Sequence, residues 1–210
     1  MIQDIKLSTT LAAWKTTATY IADGHSSEFV GRQKEGLVFR RLKQEIEGTS
    51  HGVKAELEVP FDGWEIDLVA SGAGKPIAVE GKFKIRGDGA IPDNRKAAFF
   101  DLYKLERYVR SGRFEQGLFV WLTDEGAYLR EPKGDSADFS THHGRTYRPG
   151  TPLHARRSRN QMPLPLVLAG EYNFSWEKIG NSPWYVLVLK VLLQQANNGF
   201  QSGTPQAARR

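Results

Sequence analysis

Cysteine is absent from all 210 residues. Disulfides, zinc–thiolate sites, iron–sulfur clusters and thiol nucleophiles are thereby excluded together. A long apolar run is lacking as well. The longest stretch, around 184–193, is broken by Lys190 and is too short to cross a bilayer. The opening Met1-Ile2-Gln3-Asp4 shows none of the basic-then-apolar order of a secretory signal. A cytoplasmic protein without membrane attachment is the expectation. No internal repeat or heptad pattern is visible, and no G-x-S-x-G occurs, which removes the usual mark of a serine hydrolase.

Hydrophobic residues make up 40% of the chain and charged residues 25%, the balance of a globular protein able to bury one core. A single domain over 1–210 is expected. The net charge of +5 and a pI near 9.4 lean toward a polyanionic partner without singling one out.

Periodicity divides the chain into elements. A first long helix is predicted over 27–47, capped by Ser26 or Ser27. Glu35, Phe39, Leu42 and Ile46 fall at i, i+4, i+7 and i+11 and share one face. A carboxylate opening an apolar stripe either sits solvated at the rim or points into a site. Three strands follow over 53–60, 64–70 and 76–84, with a tight turn at Phe61-Asp62-Gly63. Ser71-Gly72-Ala73-Gly74-Lys75 fails the phosphate-loop pattern, since neither Ser/Thr nor a helix follows, and reads as a hairpin turn. A second helix is predicted over 94–111, with Ala98, Leu102, Leu105 and Val109 as its stripe and Gly112 as its stop. A strongly apolar strand covers 116–122. Segment 131–163 is polar and rich in glycine, proline and arginine, with Arg145, Arg148, Arg156, Arg157 and Arg159, and reads as a long functional or disordered loop. Two further strands are expected over 164–173 and 184–193, the second with a helix as the alternative, before a frayed tail at 197–210. The order indicates an α/β layered domain, a central mixed β-sheet flanked by helices, with a C-terminal β-rich extension.

Within the third strand Glu80, Lys82 and Lys84 alternate with Val79, Gly81, Phe83 and Ile85, so the charges share one face. Asp67 lies on the preceding strand, and a hairpin would bring it beside Glu80. Two carboxylates at close range repel unless a hard cation joins them, and magnesium takes a few carboxylates plus water. Such an ion polarises a phosphate and lowers the pKa of bound water. Lys82 could orient or deprotonate that water, or stay protonated and neutralise phosphate charge. The trio suits phosphodiester hydrolysis.

Asp67 followed by Glu80-Gly81-Lys82 resembles the D…E-x-K motif of the PD-(D/E)XK, or restriction-endonuclease-like, nuclease superfamily. The resemblance extends over about 27–122 and includes the helix–three strands–helix–strand order of that core. Glu35 matches the glutamate that many members carry on the first helix. Lys104 and Tyr108, at i and i+4, are similar to the Q-x-x-x-Y element of RecB-like members, with lysine in place of glutamine. Ile66 stands where proline is common before the aspartate. The resemblance implies a Mg2+-dependent (or Mn2+-dependent) DNA endonuclease serving restriction, repair or defence. Its metal shell would be Asp67, Glu80 and the main-chain carbonyl of Gly81, with Glu35 as an additional ligand. Members with a cysteine-ligated cluster are ruled out as a parallel.

Lys84, Arg95, Lys96, Lys104 and Tyr108 are the expected DNA contacts, together with the arginines of 131–163. Asp101 shares a helical line with Lys104 and is expected simply to pair with it. His142, His143 and His154 read as solvated loop positions, and the aromatics Phe174, Trp176, Trp184 and Tyr185 as core or hairpin pairs. Double-strand cutting would call for a homodimer or paired action. Two alternatives stay open: a non-cleaving nucleic-acid-binding or assembly module that retains the fold, and an interaction protein whose basic loop binds an acidic partner.

Overall fold

The strand and helix patterning of the central region organises a six-stranded mixed sheet with helices on both faces. The computed structural model describes residues 2–29, 31, 34–49, 52–155 and 162–192. Two α-helices come first, α1 (Ile2–Ala22) and α2 (Lys34–Thr49), then the strands β1 (Lys54–Phe61), β2 (Trp64–Ser71) and β3 (Ile77–Lys84). Helix α3 (Ile91–Arg110) crosses to β4 (Gln116–Thr123), and the remaining strands are β5 (Arg145–Tyr147), β6 (Pro152–Leu153), β7 (Leu166–Val167), β8 (Tyr172–Phe174), β9 (Glu177–Lys178) and β10 (Tyr185–Val191). No helix among the described residues is long and apolar enough to cross a membrane.

The central sheet runs β1-β2-β3-β4-β10-β9. Asp62 and Gly63, both at positive φ, make the two-residue turn between β1 and β2, a geometry that suits the twist of a hairpin. β3 and β4 are parallel neighbours, which requires a crossover, and α3 supplies it. Pro92 sits in the first turn of α3, where its missing N–H costs nothing, and Gly112 at φ 75° follows its end. α1 and α2 cover one face of the sheet through Trp14, Ile21, Phe39, Leu42 and Ile46. α3 covers the other through Phe99, Leu102 and Leu105.

Three expectations need correction. The first long helix begins well before 27: α1 occupies Ile2–Ala22, a short 3-10 turn occupies His25–Glu28, and the helix bearing Glu35 starts only at Lys34. The buried line of α1 (Leu7, Thr10, Ala13, Trp14, Thr17, Ala18, Ile21) has helical spacing but is largely threonine and alanine, so no apolar stripe marks it in the sequence. Segment 131–163 is also less free than its composition implies. Phe139 and Tyr147 pack on Phe99, with ring centroids 5.5 and 4.9 Å away, and β5 and β6 pair with β8 and β7 in two small sheets. Arg145 and Arg148 are exposed there, whereas Arg156, Arg157 and Arg159 lie outside the described residues, as does the expected tail at 197–210. The single strand expected over 164–173 is two short strands, β7 and β8, and 184–193 forms strand β10 rather than a helix.

One buried carboxylate ties this outer layer to α3. Glu106 Oε1 accepts hydrogen bonds from the main-chain N–H of Ala169 (2.8 Å) and Gly170 (2.7 Å) and from the Tyr172 hydroxyl (2.8 Å). Glu106→Ala leaves the buried Tyr172 hydroxyl and two partly buried main-chain N–H groups without an acceptor, a loss on the order of 3 kcal/mol. The thermal midpoint should then fall by about 6–12 °C, with Glu106→Gln losing less because one acceptor oxygen remains. A fall of under about 2 °C in the alanine variant would mean that water replaces the carboxylate and that the anchor is weak.

Candidate functional site

The middle of β2 departs from a regular ladder. β2 and β3 pair at Leu68↔Val79, Val69↔Ala78 and Ala70↔Ile77, and pairing stops before Asp67 and Glu80. Beyond that point the Gly81 N–H is met by Asp67 Oδ2 at 2.9 Å. On the other edge of β2, pairing with β1 skips Glu58 and Asp67, and Glu58 has φ 53°. Leu57 and Val59, two apart, would point the same way in a regular strand, yet they pack into opposite faces of the sheet, as do Leu68 and Ile66. The kink turns the Asp67 side chain toward β3.

Gly81 is required by packing. A Cβ there would fall on the Val120 carbonyl oxygen, 2.7 Å from Val120 Cγ2 and 3.2 Å from Phe39 Cζ. The residue between Glu80 and Lys82 therefore lies pressed against β4, and its neighbours project toward α3.

Glu80, 1% exposed, sits in the interior of the sheet rather than at an edge. Lys104 Nζ reaches its Oε2 at 2.8 Å, and the Tyr108 hydroxyl donates to Oε1 at 3.4 Å. Lys104 also pairs with Asp101 Oδ1 at 2.9 Å. Asp101 takes Lys82 as a second partner, and Lys82 Nζ further donates to the Gly81 carbonyl at 3.2 Å. From α2, Glu35 Oε1 accepts from the Phe83 N–H (3.2 Å) and from Lys84 Nζ (2.6 Å). The end of β3 is thus bracketed by charges from both helical layers.

Two buried carboxylates, Glu80 and Asp101, and the half-buried Asp67 face two ammoniums, Lys82 and Lys104. Burial penalises each charge, and the uneven count decides which groups yield. Burial, then the neighbouring Asp67 and Asp101, pushes Glu80 well above the usual carboxylate range. Asp67 is likewise raised, mainly by burial, against the pull of Lys82. Burial acts to raise Asp101 too, but Lys82 and Lys104 outweigh it and hold the carboxyl below its ordinary value. For Lys82 burial acts to lower the pKa, and Asp101, Glu35 and Asp67 more than reverse it. Lys104 is raised in the same way by Asp101 and Glu80. A proton or a cation is what the site electrostatically lacks.

For a cation, the oxygens at hand are Asp67 Oδ1, the Glu80 carboxylate and the Gly81 carbonyl. Among the described residues no group of three histidine or carboxylate side chains could hold a metal ion. Two carboxylates and a carbonyl nonetheless fit magnesium, which takes one or two carboxylates and keeps several waters. Beside them lies a cleft of about 450 Å³, lined by Lys82, Lys96, Asp101 and Lys104 together with Trp64, Phe100 and Met162.

Of the residues expected from the sequence, Asp67, Glu80, Gly81, Lys82, Lys104 and Tyr108 come together, with Glu35 and Lys84 paired at the strand end and Lys96 on the cleft wall. Lys84 does not follow Lys82 toward Asp101 but turns to Glu35. Arg95 is not among them. It is buried and donates to the carbonyls of Ala127 and Arg130, each at 2.7 Å, fixing the 3-10 turn Gly126–Leu129. Asp101 carries more than the single Lys104 pair expected of it, and its place on the helical line of Lys104 and Tyr108 was the available signal. Glu80 pairs with Lys104, which reaches it from the crossover helix. No known protein family, curated protein or solved structure matches the chain.

The raised Glu80 has a consequence for stability. Because the folded protein holds this proton more tightly than an unfolded chain, the stabilisation is complete below the ordinary value of 4.5 and is lost as pH rises through the shifted range. Glu80→Gln keeps the neutral form at every pH. In EDTA, the midpoint of the variant minus that of wild type should grow more positive from about pH 4.5 upward. A difference that stays flat across that range would show that Glu80 is ionised and satisfied in the fold.

Proposed function

We propose that this chain is a metal-dependent nuclease that hydrolyses DNA phosphodiesters, with a restriction-endonuclease-like centre. The observation that carries the reading is the juxtaposition of Asp67, the Glu80 carboxylate and the Gly81 carbonyl at the parting of β2 and β3, with Lys82 beside them on the cleft. Asp67, Glu80 and the Gly81 carbonyl would hold magnesium or manganese. Bound there, the ion supplies Lewis-acid polarisation of a phosphate and a water of lowered pKa. Lys82, held as a cation by Asp101, Glu35 and Asp67, is suited to neutralising phosphate charge rather than to abstracting a proton. Lys104 offsets Glu80, and the Tyr108 hydroxyl orients it. Glu35 and Lys84 close the α2 side of the site.

One observation favours the non-cleaving alternative. Lys82 and Lys104 are both already paired with carboxylates of the chain itself, an arrangement that would serve a purely structural buried network. Cleavage separates the two readings. Supercoiled plasmid and single-stranded DNA are incubated with magnesium, manganese or EDTA, alongside Asp67→Ala and Lys82→Ala proteins of unchanged folding. Metal-dependent cutting slowed at least about 100-fold in both variants is the expected result, the order of loss when a preorganised charge is removed from an active site. No cutting by wild type with either ion would sink the nuclease reading and leave the binding module.

A further inference from the structure

The cleft beside Lys82 does not end at the charged residues. Its floor includes Gly63 and Trp64, and these also line a shallow hollow over the β1–β2 turn. That hollow shares Phe61 and Asp62 with a third, of about 670 Å³, walled by Arg107, Arg110 and Arg113. Through these shared lining residues the three hollows follow one another from the site toward the end of α3, along one path.

The helix supplies the long wall. Lys96, Phe100, Tyr103, Arg107 and Arg110 fall at i, i+4, i+7, i+11 and i+14, a single line along α3. At about 1.5 Å per residue this line is roughly 21 Å long, close to the length of about six stacked nucleotides of one strand. Cations and aromatic rings share it, and exposure grows from Phe100 through Tyr103 to Arg107 and Arg110. Arginines near the end of a helix also complement its dipole. That alone does not place Arg107 and Arg113 each 5.3 Å over an aromatic ring, Trp64 and Phe61, on the facing turn. Asp62 pairs with Arg107 at 2.8 Å and offsets part of the charge, yet six cations against three carboxylates line the whole path.

We propose that this path binds a single-stranded polynucleotide, phosphates on Arg107, Arg110 and Arg113 and bases against Trp64 and Tyr103, and leads it to Lys82. Half-buried rings in a groove serve unstacked bases, because the faces of paired bases in a duplex are already covered. Arginine beside such rings adds charge and a flat stacking surface at once. The proposal rests on the nuclease reading for its destination, and its test does not depend on cleavage.

Binding is measured by fluorescence anisotropy in EDTA with a labelled oligothymidylate of about twelve nucleotides, its RNA counterpart and a duplex of equal length. Wild type should bind a single strand more tightly than the duplex, and the tighter of the two strands identifies the sugar. A combined Arg107→Ala, Arg110→Ala, Arg113→Ala variant should bind about tenfold or more weakly, with its log–log salt slope reduced by about 2. Tyr103→Leu should weaken binding several-fold without changing that slope. Tighter binding of the duplex, or unchanged affinity in the arginine variant, would overturn the proposal even if plasmid were cut. Single-strand affinity lost with the arginines would sustain it even if nothing were cut.

Discussion

A charge imbalance held between the sheet and α3 lies at the centre of this fold. Asp67, Glu80 and Asp101 share an interior with only Lys82 and Lys104. Removing ions from water is costly, and pairs of good geometry only roughly repay that cost. A third carboxylate without a counter-ion is not repaid at all. Had stability been the sole requirement, apolar residues of similar volume would have served. The imbalance instead keeps Glu80 and Asp67 reluctant to ionise, and it constrains how α3 docks, since two of the five charges and the Tyr108 hydroxyl come from that helix.

The topology explains how one helix can do this. A parallel β3–β4 pair forces the chain across one face of the sheet, and α3 is that crossing. Its inner line packs against the core, and the adjoining line of Asp101, Lys104 and Tyr108 meets the charged face of β3. The helix then continues past the site toward the β1–β2 turn, where its outer line meets Phe61 and Trp64. The outer layer of 131–155 and 162–174 is fastened to the far side of α3 by Glu106 and by the rings around Phe99, so the crossing helix is held from both sides.

Much of the centre was legible because its residues obey simple periods. β1 to β4 and α3 follow from alternation and from the 3.6-residue stripe, and Asp67 beside Glu80 follows from the hairpin. What could not be read depends on side chains that meet only in space. α1 escapes because its buried line is threonine and alanine, which carry little hydrophobic contrast. Arg95 looked like a phosphate contact because any helical arginine does, and only the fold shows that two main-chain carbonyls occupy it. The ammonium that meets Glu80 comes from α3, a contact set by how the helix docks and not by spacing along the strand. Segment 131–163 has the composition of a solvated loop, yet Phe139, Tyr147, Leu153 and Met162 bury part of it against the core.

Gly81 joins two worlds that otherwise never touch. On one side of this residue stand Val120 and Phe39, members of the apolar layer beneath α1 and α2; on the other, its N–H and carbonyl engage Asp67 and Lys82. With no side chain to act as a cushion, the main chain at this point is a thin membrane between an oily compartment and an ionic one. Repacking on the oily side, a bulkier residue at Val120 for instance, would be transmitted directly to the spacing of polar atoms on the other. The geometry of the candidate centre is thus partly written in residues that carry no charge and face away from it.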